Sequence, residues 1–479
     1  MPDARADQEK ILRMGSAPIG RLLLEFGIPA VVSVVCNALY NIIDSIFLGH
    51  AMGEIGLAAT TVASPIMTIM MALAVIAGAG GNSLAAILLG EDKHDRAEQT
   101  LGNTMFLMIV LAIPVALIAT FCLDPILRLV GATDVTLPYA RLFMQIISYG
   151  FLFNNISFGI SNFLRTAGEP NIALGVSVLS TAVCILFNYV FVILWGWGVG
   201  GSALATVLGQ GVASLWVLWY FIFSKTAPFK LRARYLRPDW KLCGRICTLG
   251  MAPCALQAAA AITQVVANTM IATLGAADPI GTDGALASIG VVLKVVMFTV
   301  FPVSGVAIAA QPIWGFNTGA RKFDRVKRCL FDALMAGFVI LVAFFVVIHL
   351  FPTGVIGLFG VQGDLMDFSV DALKVMTALI PLVGIQMIGS NYFQATGQAM
   401  KSTILSLTRQ LIFLLPMYLL APWLIPTLFP QVSPLFGFCF AFPMADFLSV
   451  VFCGIFLIVE VRRLNRLIAQ QEGGRPIHV

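Results

Sequence analysis

Uninterrupted apolar stretches recur from one end of this chain to the other. Many run to about twenty residues or more, long enough to cross a bilayer core of roughly 30 Å as a helix. Inside lipid a backbone finds no water, so each such stretch must satisfy its own N–H and C=O groups, which a helix does. A spanning β-barrel would instead show alternating segments of about ten residues. The chain therefore reads as an all-α polytopic membrane protein. Charged residues make up 11% of it and hydrophobic ones 59%. A soluble domain carries about 25% charged residues, so these are too few to clothe a water-facing surface.

Twelve spans are expected: 28–49, 56–80, 98–122, 138–160, 171–194, 200–223, 246–272, 284–309, 328–350, 370–394, 402–424 and 435–460. Lys and Arg orient them, because cytoplasmic loops are enriched in both. Of the 29 Lys and Arg, 24 fall before span 1, after spans 2, 4, 6, 8 and 10, and after span 12. Only Arg128, Arg141 and Lys374 lie on the other side, and Lys294 and Arg409 fall within spans. Both termini are thus expected in the cytoplasm of a bacterial inner (plasma) membrane. The N-terminus mixes acids with bases, so no cleaved signal is expected. The basic residues flank spans, which argues against a nucleic-acid partner. The nine cysteines lie mostly in apolar runs and form no CxxC pair, so they read as small buried side chains rather than metal ligands.

A basic linker, 225–245, divides the chain into an N-terminal lobe, 1–224, and a C-terminal lobe, 246–479. One constant offset relates the two. Gly90–Arg96 (GEDKHDR) matches Gly319–Arg325 (GARKFDR), and Ser161–Gly168 (SNFLRTAG) matches Ser390–Gly397 (SNYFQATG); 319 − 90 and 390 − 161 are both 229. Six spans per lobe give the lobes parallel topology, related by a pseudo-twofold axis along the membrane normal. Asp95 should then fall on Asp324, and Asn162 on Asn391. Transporters built from such repeats bind substrate between the halves.

Neither a phosphate-cradling GxxxxGK[ST] nor a nucleophile–base arrangement is present, so no enzyme is expected and transport would draw on an ion gradient. The membrane-embedded polar residues carry the rest. Asp44 stands in YNIIDSIFLG (Tyr40–Gly49), where an ionisable group costs roughly 2.5–3.5 kcal/mol. Asn37, Asn41 and Asp44 share one helical face at i, i+4 and i+7, with Tyr40 beside it. This oxygen set suits Na⁺, or a carboxyl that takes and loses H⁺. Asn188 in span 5 and Thr206 in span 6 are expected near it. At the 229 offset the second half has Thr273, Met417 and Leu435 instead of Asp44, Asn188 and Thr206. It carries Lys294, Arg409 and Asp446, of which Asp446 could neutralise either cation.

The combination of YNIIDSIFLG, LRTAGEPN, QPIWGFNTGARKFDRVKR, YFQATG and FPMADFLSV resembles the multidrug and toxic compound extrusion (MATE) family. Its MepA-like, DinF-branch members are the nearest in pattern. The resemblance runs from about residue 15 to 460. It implies two six-helix lobes set as a V around a vestibule, and export of amphipathic, often cationic compounds in exchange for Na⁺ or H⁺. It also implies a cation site built from Asp44, Asn188 and Thr206. A second family carboxylate, four residues after Asn188, is Val192 here. The site then holds one negative charge, which one proton or one Na⁺ neutralises. Beyond this coupling ion no cofactor is expected. Vestibule candidates are Tyr40, Asn37, Asn154, Asn155, Met67, Met297, Lys294, Arg409 and Asp446, with Met70, Met71, Phe153, Phe158 and Phe301. A monomer is expected. The alternative is a flippase for lipid-linked substrates, which would need a basic central cavity.

Overall fold

The computed structural model describes residues 12–130, 132–224, 227, 229–359 and 363–472. Within its helices the side chains at 39–42, 45, 46, 49, 50, 53, 54, 57, 58, 233, 283 and 364 are not described, so the candidates Tyr40 and Asn41 lie outside the described side chains.

The first two spans form one helical run, α1 (Ile19–Gly90), with Pro29 and Pro65 inside it. It is not straight. A Cβ built on Gly56 would stand 3.3 Å from the Leu48 carbonyl oxygen, whereas residues 48 and 56 of a straight helix lie roughly 12 Å apart. The run doubles back there. Next come α2 (His94–Phe121), α3 (Leu137–Tyr149), α4 (Pro170–Asn188) and α5 (Gly198–Phe223). The second half supplies α6 (Trp240–Ala276), α7 (Gly281–Gly319), α8 (Phe323–Leu350), α9 (Asp364–Met376) and α10 (Ile380–Ala395). It closes with α11 (Ala399–Leu407), α12 (Leu415–Leu428) and α13 (Ala441–Glu472). Helix α6 begins at Trp240, inside the range the sequence reading gave to the linker.

Among the described residues, ten segments are long and apolar enough to cross a membrane singly, and α9 with α10, bent by 50°, makes an eleventh. The remaining one of the twelve is broken. After α3 the chain continues as Phe151–Asn155, a π-helical turn Ile156–Ile160, and Ser161–Thr166. Asn154, Ser157, Ser161 and Asn162 lower its hydropathy because they face a cavity rather than lipid.

The 229-residue offset is written into the backbone. Helices α2 and α8 start at His94 and Phe323 and end at Phe121 and Leu350, and 323 − 94 and 350 − 121 are both 229. Asp95 and Asp324 occupy their first turns. Gly168 and Gly397 share a left-handed φ of 82° and 83°, and Asp92 and Arg321 one of 60° and 55°. Asn162 donates to Phe158 O and Asn391 to Met387 O, the same i−4 bond in each half.

The apolar core explains the V. One cluster takes residues from both halves, among them Phe26, Leu88, Trp314 and Tyr392. The other two are private: Leu48, Met70 and Phe143 belong to one in the first half, Ile289, Tyr418 and Phe438 to one in the second. The halves are fused at the end carrying the basic turns and separate towards the other.

Glycines set the fusion distance. A Cβ on Gly90 would stand 1.9 Å from Phe316 O, and one on Gly319 2.0 Å from Ile87 O. These are pseudo-symmetric contacts, since 316 − 87 is also 229. Backbone lies on backbone, and no side chain fits. Gly90→Ala and Gly319→Ala are each expected to lower the thermal midpoint of the solubilised protein, at a cost of about 1–3 kcal/mol from overpacking. A thermal-shift assay reads this, and unchanged midpoints would mean that the backbones do not touch there.

Two polar clamps flank the crossing. Arg325 donates to Met14 O at 3.0 Å and Ala17 O at 2.6 Å, and Lys322 to Gly15 O at 2.7 Å. On the pseudo-symmetric side, Asn103 donates to Tyr235 O at 3.3 Å and accepts from Asp239 N at 2.8 Å. The segments entering α1 and α6 are each tied to the neighbouring basic turn or helix.

Candidate ion and substrate site

A cavity of about 470 Å³ lies within the N-terminal half, with Gln257 and Ile308 contributed by the other half. Helix α1 lines it with Asn37, Met67, Met70 and Met71, and the broken fourth span with Asn154, Phe158 and Arg165. Ser177 and Cys184 face it from α4, and Thr206 and Gln210 from α5. Flexible methionines set among many amides and hydroxyls make an adaptable wall of mixed polarity.

Behind Cys184 and Thr206 sits Asp44. Its Oδ1 accepts a hydrogen bond from Ser202 Oγ, and the Asn188 side chain is its second polar neighbour. Asn188 Nδ2 also reaches Cys184 Sγ at 3.5 Å, and Cys184 Sγ lies 3.7 Å from Thr206 Oγ1. A relay of four side chains, Asp44, Asn188, Cys184 and Thr206, thus runs from the carboxylate to the cavity wall. All of Asp44's described partners are neutral. Local structure places the relay: α4 gives way to the π-helical turn Tyr189–Leu194 directly after Asn188, and such turns re-aim side chains without ending a helix. Val192 on that turn is buried in the apolar cluster with Leu48 and Met70, so the position offers no oxygen.

The sequence candidates divide. Asp44, Asn188 and Thr206 come together, though Thr206 touches Cys184 rather than the carboxylate. Asn37, Asn154, Met67, Met70, Met71 and Phe158 line the cavity. Asn155 does not: it is fully buried, with neither amide atom partnered among the described residues. Met297 and Phe153 are exposed away from the cavity wall. Lys294 is exposed and Phe301 partly buried, and neither lines it. Arg409 and Asp446 pair with each other at 2.8 Å, both largely buried, inside the second half. Ser202 and Cys184 were not singled out from sequence. Each lies four residues before a residue that was, Thr206 and Asn188, and so on the same helical face.

Arg165 was counted among the basic loop residues. The structure instead buries it at the cavity's edge, 6% exposed.

Ten membrane-length helices among the described residues, with an eleventh bent pair and one broken span, form two pseudo-symmetric halves fused at one end beside a cavity, the architecture of a membrane transporter. The MatE family model matches residues 29–190 and again 257–419, displaced by 228 (257 − 29) and 229 (419 − 190) residues. The chain belongs to this family of multidrug efflux transporters. Among its relatives is the multidrug export protein MepA of Staphylococcus saprophyticus, 23% identical over 408 residues, covering 85% of this chain and 88% of that one. MepA of Staphylococcus aureus is 22% identical over 399 residues, covering 83% and 86%. A multidrug resistance MATE transporter solved in an outward-facing conformation has the same fold, with a TM-score of 0.86 at 21% identity over 95% of this chain and 98% of that one. So does a MATE protein solved in complex with MaD3S, with a TM-score of 0.87 at 21% identity, covering 95% and 99%.

Proposed function

We propose that this multi-pass membrane protein is an antiporter of the bacterial plasma membrane that exports small amphipathic molecules, cationic ones among them, in exchange for H⁺ or Na⁺ bound at Asp44. The observation that carries the reading is an intramembrane carboxylate with only neutral described partners, Ser202 and Asn188, one side chain away from a cavity. A charge that must be neutralised, placed next to the space a substrate fills, lets ion and substrate exclude each other. Neutralising Asp44 changes what Ser202 and Asn188 need to hydrogen-bond, and the relay through Cys184 and Thr206 carries that change to the cavity wall. With Val192 contributing no oxygen, one H⁺ suffices, which favours H⁺ over Na⁺. Each protein works alone, as a monomer.

With the buried Arg165 set aside, the other 23 Lys and Arg residues on that side support placing both termini and the linker 225–245 in the cytoplasm. The fused end of the V then faces inward and its separated arms outward. Cysteine labelling of sealed cells tests this. Single cysteines at Asp278 and Gly363 are expected to react with an impermeant maleimide, and one at Lys241 only after permeabilisation; the opposite pattern inverts the topology. For the function itself, purified protein in liposomes is expected to move rhodamine 6G uphill under an imposed pH or Na⁺ gradient. Only downhill movement, equal with and without a gradient, would refute coupling.

A further inference from the structure

The charge of the cavity runs against a preference for simple cations. Among the described residues no Asp or Glu lines it, and Arg165 is the one charged residue that does. Arg165 as a residue is 6% exposed, and its guanidinium makes one described hydrogen bond, from Nη1 to Asn162 Oδ1 at 2.7 Å. Its Nε is buried without a partner, and no carboxylate pairs with it among the described residues. A guanidinium offers five N–H donors in a planar fork that matches a carboxylate or sulfonate. A buried cation left in this state is costly unless something supplies a counter-charge.

The fold does not require that cation. Position 165 corresponds at the 229 offset to Gln394, which is also buried and also has an unpartnered donor, Nε2. The second half builds the same turn, with the same left-handed glycine after it, around a neutral amide. The positive charge is therefore particular to the half that holds the cavity.

Taking that cavity as the substrate site, as proposed above, we propose that Arg165 is an anion subsite, and that the preferred substrates are amphipathic compounds carrying a carboxylate or sulfonate, zwitterions included. The anionic group seats on the free edge of the guanidinium, with Asn162 fixing the other edge. The apolar body lies along Met67, Met71 and Phe158. Along α4 the wall runs from Val176 to Cys184, roughly 12 Å at 1.5 Å per residue. The Arg165 side of the cavity is positive, while the Cys184 side abuts the relay to Asp44. A zwitterion fits with its cationic end towards Asp44, where it would compete with the coupling ion.

Two dyes with the same xanthene core test this by binding to purified protein: sulforhodamine 101, which carries sulfonates, and the cationic ester rhodamine 6G. Arg165→Gln installs the residue the other half already uses, so it is expected to fold. It should weaken sulforhodamine 101 by about tenfold or more, the loss of a charge-assisted bidentate contact, and should bind rhodamine 6G at least as tightly as the wild type, because a like charge has been removed from the wall. In the wild type, benzenesulfonate should compete with sulforhodamine 101 and not with rhodamine 6G; this measurement needs no variant. Equal effects on both dyes, or none, would overturn the proposal. Sulforhodamine 101 binding should also be the same in phosphatidylcholine nanodiscs with and without phosphatidylglycerol. Its loss with phosphatidylglycerol would assign the subsite to a lipid headgroup instead. These readouts involve no ion gradient, so they stand or fall separately from coupling at Asp44.

Discussion

Asp44→Asn protein is expected to fold, to bind rhodamine 6G, and to move none of it uphill. The substitution is isosteric, and the new amide oxygen can still accept the Ser202 hydroxyl that now bonds to Asp44. It also removes an unpaired intramembrane charge worth roughly 2.5–3.5 kcal/mol of insertion cost, so stability should hold or rise. What is lost is the group whose charge an ion can cancel. Gradient-driven efflux in liposomes should fall to that of protein-free vesicles, while counterflow of rhodamine 6G with no gradient persists. Ser202→Ala is the milder counterpart: it removes one hydrogen bond, worth about 0.5–1.5 kcal/mol, and should slow transport without abolishing it. If Asp44→Asn still drives uphill efflux at the wild-type rate, coupling lies elsewhere.

The second large effect falls on stability. Arg409 stands on the π-helical turn Thr408–Leu414 and Asp446 on α13, and their 2.8 Å pair is largely buried, at 16% and 4% side-chain exposure. Asp446→Asn leaves a buried guanidinium without a counter-ion, which costs about 3–5 kcal/mol. Replacing both residues, as Arg409→Met with Asp446→Leu, removes the problem and is expected to restore most of the lost thermal midpoint, since apolar packing substitutes well for a buried pair. Transport by the double variant should then resemble wild type. A double variant as unstable as the single one would mean that the pair does more than neutralise itself.

Much of this was readable in the sequence because the bilayer leaves few choices. An apolar run of about twenty residues must be a helix, and two runs of six with one offset must be a duplication. Asp44 was legible for the same reason: a carboxylate has no inexpensive place in lipid. Ser202 and Cys184 escaped notice because a small hydroxyl or thiol in a membrane helix usually just packs. Only the three-dimensional approach of α5 to α1 gives Ser202 its role. Arg165 was misplaced by its neighbours. TAGEP reads as a turn, and an arginine before a turn reads as a loop cation, yet the turn folds it inward, 6% exposed. Asn154 and Asn155 looked alike, and one helical step separates the cavity wall from the core. The continuous helical run through 49–56 was also invisible, because three glycines in eight residues, Gly49, Gly53 and Gly56, read as a loop rather than as helix.

The central claim is that one monovalent ion and the substrate exclude each other through Asp44. Rhodamine 6G binding to solubilised wild type, titrated with H⁺ and, at constant ionic strength, with Na⁺, tests it most directly. Linkage requires that the ion weaken the dye as much as the dye weakens the ion. The account predicts that log Kd climbs with the log concentration of one of the two ions at a slope approaching about one, and that Asp44→Asn is flat for both. A wild type flat to both ions, or an Asp44→Asn protein with the wild-type slope, would contradict it.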